Sequence, residues 1–254
     1  MEENIIEKKC TGGKGWIPAS ILGIAMIIAF ASHGYLMGNR TGNNVITVTG
    51  SAKESVKADL AKWSASFTRH SGVSNLKESL ALANGDTQKI KQFIIDFGIP
   101  ETSITLLPIQ TETVYEMQKG EYMGVSQNVS GYNIRQEVRV EDKDIAKVDL
   151  LAKNLSKLVD SGIISDYQYT GYYFTKLDSL RPNLFAEATK DAKVRAEAIA
   201  KGTGAKVGFL RSAKTGIIQV LAPNSTDVSD YGTYDLSTKD KEISATVSVS
   251  FELK

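Results

Sequence analysis

From Ile17 to Met37 (IPASILGIAMIIAFASHGYLM) the chain carries no Asp, Glu, Lys or Arg, and this run constrains what everything around it can be. About 20 such residues suffice to cross a bilayer as a helix. Trp16 and Tyr35 flank the run as interfacial anchors do; Lys8, Lys9 and Lys14 precede it and Arg40 follows it. The positive-inside bias, offset in part by Glu2, Glu3 and Glu7, therefore puts the N-terminus in the cytoplasm. Read as a retained signal anchor, the run yields a cytoplasmic segment 1–15, a membrane helix 16–37, a linker 38–44 and a main domain 45–254. That domain then lies outside the cytoplasmic membrane, periplasmic or extracellular. The alternative is a signal peptide cleaved after Ala29-Phe30-Ala31, a small-x-small site, which leaves a soluble periplasmic protein. The uncharged run continues well past that site, which favours the anchor. His33 falls near the outer end of the helix, where a lone histidine reads as an interfacial residue.

Composition removes several chemistries. The formal net charge is +1 with both signs interspersed, so the chain has no basic face to neutralise phosphates, and nucleic acid is not an expected partner. Cys10 is the only cysteine, which rules out an intrachain disulfide and a cysteine-rich metal site. A 42% hydrophobic content over 254 residues is enough to bury a core.

Beyond residue 44 the patterning alternates strands and helices. Val45 to Thr49 is β-branched and strand-like, and Gly50-Ser51 reads as its end. Val56, Ala58 and Leu60 share one face before the pattern shifts to Ala61, Trp63, Ala65 and Phe67, a change of phase that predicts a β-bulge near Leu60. Ser74 reads as the cap of a helix whose apolar stripe is Leu76, Leu80, Ala83, Ile90, Ile94 and Phe97, closed by Gly98. Ile104 to Met117 and Val125 to Val140 read as a hairpin around a Gly120-containing loop. A second helix spans about Lys143 to Val159 and ends at Ser161-Gly162. Ile163 to Phe174, rich in tyrosine, is a strand. A third helix enters through Arg181-Pro182 and leaves through Gly202, with a narrow stripe of Phe185, Ala188, Ala192, Ala196 and Ile199. Lys206 to Val220 and Ile243 to Leu253 are the last strands, with Pro223 to Lys241 between them as a surface loop. This order implies an α+β fold: largely antiparallel sheet layers packed by about three helices, preceded by one N-terminal transmembrane or signal helix.

Candidate chemistry is sparse. On the third helix Asp191 with Arg195, Lys193 with Glu197 and Glu197 with Lys201 are four apart and read as solvated pairs worth about 0.2 to 0.5 kcal/mol each. Gly202-Thr203-Gly204 with Gly208 follows a helix, the reverse of the order that aims a helix N-terminus at phosphate, and reads as a helix end. His70, the only histidine outside the uncharged run, sits at a strand end as a surface residue. Asp227, Asp230 and Asp235 with Tyr231 and Tyr234 miss the spacing of a calcium loop. Sequons at Asn128, Asn154 and Asn224 bear on function only in a glycosylating host. No catalytic, cofactor-binding or metal residue is assigned.

Four stretches, taken in order, resemble the SIMPL-domain family. ITVTGSAKESVKADLAKWSASF is similar to its opening strands, with Asp59 and Ala61 on its Pro-Asp-x-Ala pattern and Ala58 in place of the proline. LLPIQTETVYE keeps Pro108 and Tyr115 of its Pro-x-Tyr-x-Tyr words. SGYNIRQEVRVEDKD resembles its Gly-Tyr strand, and AEATKDAKVRAEAIAKGTGAKVG its Ala-rich helix and Gly-turn-Gly. The resemblance implies a bacterial envelope protein without an established active site or cofactor, periplasmic or membrane-attached, forming ring-like homo-oligomers, in some cases linked to oxidative-stress tolerance.

The expected function is therefore a non-enzymatic, membrane-anchored envelope protein that self-assembles and presents a binding surface to envelope proteins not yet identified. Two alternatives remain: a small-ligand-binding module, and a periplasmic enzyme using carboxylates such as Asp59 and Glu54. For the anchor, intact-mass spectrometry of protein purified from membranes is expected to return the uncleaved N-terminus; a chain starting at Ser32 would establish the signal peptide instead.

Overall fold

In a computed structural model of the protein the described residues are 23, 25–32, 44–119, 125–225 and 231–254, with the side chains of 117–119 and 125–127 left aside. Residues 25–32 are helical and expose Met26, Ile27, Ile28 and Phe30. Most of 16–37, including His33, lies outside the described residues, as do Cys10, Asp227 and Asp230. No helix among the described residues is long and apolar enough to cross a membrane.

The main domain is α+β and contains two antiparallel sheets. In the first, β9 (Asp240–Leu253) is central, flanked by β1 (Val45–Lys57) on one side and by β7 (Val207–Thr215) and β8 (Gln219–Leu221) on the other. The pairing of β1 with β9 runs unbroken from Val45 opposite Glu252 to Lys57 opposite Asp240, so the first and last strands of the domain close it. In the second sheet β5 (Val125–Asp142) lies between β2 (Leu60–Gly72) and the shorter β3 (Ile104–Leu106) and β4 (Gln110–Lys119), with β6 (Ser165–Tyr173) outside β2.

The helices α1 (Leu76–Asp96) and α2 (Ile145–Asn154) cover one face of the second sheet. The inward alternation of Ala61, Trp63, Ala65 and Phe67 on β2 meets Ile90 and Ile94 of α1 and Val148 and Leu151 of α2. Gln136 is tolerated on this buried face because its polar atoms find partners locally: its amide donates to the Leu107 and Glu137 carbonyls at 2.7 and 2.9 Å, and its oxygen lies 3.2 Å from the Thr87 hydroxyl. β3 and β4 are separate strands because Pro108 interrupts the ladder between them.

The third helix, α3 (Leu177–Thr203), lies on the first sheet through a ridge of Leu184, Ala188, Ala192, Ala196 and Ala200, one residue every four. The ridge differs from the expected stripe at its ends: Phe185 is partly exposed and Ile199 is 53% exposed. Gly50 does not end β1. A Cβ at that position would stand 2.0 Å from the Ala188 carbonyl oxygen and 2.4 Å from Ala192 N, so the glycine admits the helix backbone against the strand. Asp191, read as a solvated partner of Arg195, also accepts a hydrogen bond from Ser51 N at 2.8 Å and so satisfies a backbone donor of an edge strand.

Other expectations need correction. The phase change near Leu60 is not a bulge: β1 ends at Lys57 and the chain passes through Ala58-Asp59 into the other sheet. Pro182 sits inside α3, which starts at Leu177, and the helix ends at Gly204 in the left-handed conformation (φ 75°) rather than at Gly202. Ser74 makes no cap; its hydroxyl donates to Asn75 Oδ1. Packing of α3 predicts a clear contrast in urea unfolding of the domain. Gly50→Ala and Ala192→Leu should each cost about 1 to 3 kcal/mol through overpacking, and Lys193→Ala less than about 0.5 kcal/mol; equal effects would mean that the buried face is misassigned.

Candidate functional site

The chain crosses between the sheets twice within one small region, and polar groups concentrate there. Leaving β1, Ala58 N donates to Lys239 O and Asp59 N to Tyr173 O, at 2.8 and 2.9 Å. The Asp59 carboxylate accepts from Thr175 N at 2.7 Å and Thr175 Oγ1 at 3.0 Å, tying the entrance of β2 to the exit of β6. Asp59 is thus a brace between crossovers. Glu54 lies five residues back along extended chain, roughly 17 Å away at about 3.3 Å per residue, so the two carboxylates do not form a pair.

The stretch read as a surface loop is partly zipped to β8. Val220 N donates to Thr233 O and Asp235 N to Val220 O, both at 2.8 Å, which delivers Tyr234 and Asp235 to the seam. Asp235 is the hub. Burial opposes its ionisation, but hydrogen bonds from Ser237, Thr238 and Lys241 outweigh that cost and hold the carboxyl well below the usual carboxylate range. The Lys241 side chain is fully buried, and its ammonium donates to the Asp235 carbonyl and, at 3.2 Å, to Oδ2. Strand parity was the signal for this burial, because Lys241 precedes the inward Ile243 by two residues. Nearby, Tyr172 Oη donates to Asp149 Oδ1 at 2.6 Å, and Lys239 ion-pairs with the same carboxylate. Burial and the Asp149 charge push the Tyr172 phenol up to about 12; for Asp149 burial raises the pKa, and bonds from Lys239 and Tyr172 reverse this and lower it.

On the solvent side of this seam lies a shallow, mainly apolar pocket of about 500 Å³ bordered by Leu60, Lys62, Tyr173, Phe174, Tyr234 and Leu236. Lys62 Nζ is 5.3 Å from the centre of the Tyr173 ring, and the Tyr173 and Tyr234 rings are 6.1 Å apart. A second cavity, about 200 Å³, sits where Phe67, Ala83 and Ile90 meet Arg69 and Asp86. Its guanidinium is neutralised there, since Arg69 Nε donates to Asp86 at 2.9 Å. His70 borders it at the surface with Nδ1 2.6 Å from Asn133 Oδ1 and contacts no carboxylate among the described residues. Among the described residues no group of three or more His, Cys, Asp or Glu is arranged to hold a metal ion.

The geometry makes the seam a mechanical joint with an aromatic outer rim. Asp235→Ala leaves Lys241 buried without its counter-charge and is expected to cost about 3 to 5 kcal/mol in urea unfolding. Folding lowers the pKa of Asp235 and Asp149, so their contribution is complete above the unfolded carboxylate value of about 4 and is lost as pH falls below it toward the folded values. Asp235→Asn should flatten that acid limb; an unchanged limb would assign it to other carboxylates.

Residues 46–251 match the SIMPL family, described as a protein of unknown function (DUF541). No curated protein matches the chain.

Proposed function

Since the chain belongs to the SIMPL family, we propose that it is a non-enzymatic envelope protein, held at the cytoplasmic membrane by residues 16–37, which self-associates and presents the outer face of its five-stranded sheet as a binding surface. The observation that carries this reading is the division of labour among its side chains. Among the described residues with displaced pKa values, Asp149, Tyr172 and Asp235 are consumed in bonds within the seam, whereas Tyr169, raised by partial burial and by its neighbours Tyr173 and Tyr167, stands among the exposed tyrosines of a sheet face that no described helix covers. The uncharged run and the exposed apolar side chains of 25–32 support the anchor and a domain on the far side of the membrane.

Open edges support self-association. Among the described residues β4 pairs only with β5 and β1 only with β9. The stretch from Ile104 to Tyr115 lies at an edge among the described strands, while Ile243 to Leu253 is paired on both sides. Closed rings are one way for a repeated head-to-tail contact to satisfy such edges. Tolerance to oxidative stress, if it depends on this protein, would then be a property of the assembly. The pocket beside Tyr173 and Tyr234 favours a small-ligand module as the second reading.

Light scattering coupled to size exclusion, run on residues 41–254 over a range of concentrations, is expected to give a multiple of the monomer mass; a strictly monomeric mass at tens of micromolar would overturn self-association. A photo-crosslinking residue at Ser64, on the sheet face, should capture envelope components in membranes, and the same residue at Lys193, on the exposed side of α3, should not. Equal capture at both positions would deny the face any special role.

A further inference from the structure

The outer face of the five-stranded sheet has a regular aromatic track that the seam does not use. The β2–β6 register sets Tyr167 opposite Ser66, Tyr169 opposite Ser64, Gly171 opposite Lys62 and Tyr173 opposite Leu60. Directly opposed residues share a face, so the tyrosines stand in file along β6 with the small serines beside them. Tyr167 is 58% and Tyr169 41% exposed. Gly171 lets the file close up, because a Cβ there would lie 3.1 Å from both the Tyr169 and the Tyr173 rings. From Tyr167 to Tyr173 the strand covers roughly 20 Å at about 3.3 Å per residue, and Tyr234 extends the aromatic surface beyond it. A track of that length suits a chain molecule better than a single small ligand.

The chemistry of the floor narrows the class of chain. A hollow of about 380 Å³ opens over Ser64 and Ser66, walled by Tyr167 and Arg135. Neither serine hydroxyl has a hydrogen-bond partner among the described residues. The charges around the track balance: Lys62 pairs with Glu141 at 2.8 Å, Arg139 pairs with Glu137 at 2.7 Å, and Arg135 shares the hollow with Asp166. A single-stranded nucleic acid needs a net positive groove as well as stacking rings, and this face lacks one. An extended peptide would add to the outer edge of β6, where Tyr172 N already donates to Leu236 O at 2.9 Å. What remains is a polymer with little net charge, flat C–H-bearing faces for the negative faces of tyrosine rings, and many hydroxyls to meet unpaired serines.

We infer that the tyrosine track binds a polysaccharide chain of low net charge, its sugar rings stacked on Tyr167, Tyr169 and Tyr173 and its hydroxyls bonded to Ser64 and Ser66. This rests on the reading of the same face as the binding surface and names what it takes. The test is calorimetric titration of the full chain, in a detergent without a sugar headgroup, with chitohexaose and cellohexaose. An oligothymidylate and an unstructured neutral peptide of similar length serve as comparators. Binding of at least one hexasaccharide in the micromolar to millimolar range is expected. Tyr167→Ala and Tyr169→Ala should each weaken it about 2- to 10-fold, while Tyr169→Phe keeps it within about 2-fold. Both positions are exposed at the surface, so unchanged melting temperatures are expected to accompany these losses. Hexasaccharide binding untouched by the tyrosine changes, binding of the oligothymidylate or peptide instead, or no binding of either hexasaccharide at millimolar concentration would each overturn the proposal. If position 64 still gives selective crosslinks after such a result, the surface reading survives and only the polysaccharide falls; if crosslinking fails as well, both fall.

Discussion

The contact of Gly50 with the Ala188–Ala192 turn of α3 is the constraint on which the arrangement of the first sheet depends. A strand backbone and a helix backbone can meet this closely only where neither presents a side chain larger than methyl, and β1 and α3 satisfy that at one crossing point. The consequences spread from there. With α3 lying over β1 and β9, the apolar sides of both strands are buried, and Asp191 is carried within reach of Ser51 N at the sheet edge. The long β1–β9 ladder then brings the beginning of β9 beside the end of β1, at the place where the chain leaves for the second sheet.

That placement accounts for the buried Lys241. It lies one turn of the pleat before the hydrophobic part of β9, facing inward, and its charge is tolerated because Asp235 and its carbonyl stand against it. An ion pair of this kind is weak as a source of net stability but strict about geometry, since losing either partner strands the other in a medium of low dielectric. Asp59 and Asp149 bridge segments that are distant in sequence, β2 entrance to β6 exit and α2 to β6 and the β9 approach, whereas Asp235 ties that approach to Lys241 at the start of β9. Of the two carboxylates that the sequence put forward for catalysis, Asp59 is occupied as a joint and Glu54 stands apart from it on β1. What the joints leave exposed is the outer sheet face and its tyrosines.

The two faces of the second sheet show how one alternation serves both ends. Along β2, Ala61, Trp63, Ala65 and Phe67 fill the core while Lys62, Ser64 and Ser66 face out; along β6, Thr170 and Tyr172 share the inner side while Tyr167, Tyr169 and Tyr173 share the outer. A shift of one residue in either strand would exchange these sets. The same core packing that holds the sheet against α1 and α2 therefore fixes which aromatic rings are left exposed.

Local facing was legible in the residues themselves. The strict alternation of Ile243 to Phe251 set the inner face of β9, the alanine spacing set most of the buried ridge of α3, and the α+β order followed from the same patterns; the resemblance of four stretches pointed to the family that matches residues 46–251. Even the exchange of sheets at Ala58-Asp59 left a mark, the change of phase, although a bulge and a crossover produce the same mark in one dimension. Only the tertiary structure decided which strands pair, that β9 is central, that Gly50 is a site of close approach rather than a stop, and that Asp149 and Lys239 meet. The physical reason is that side-chain periodicity depends on neighbours two to four residues away, whereas strand order, backbone approach and ion pairing depend on segments far apart in the chain that are brought together only when the whole core closes.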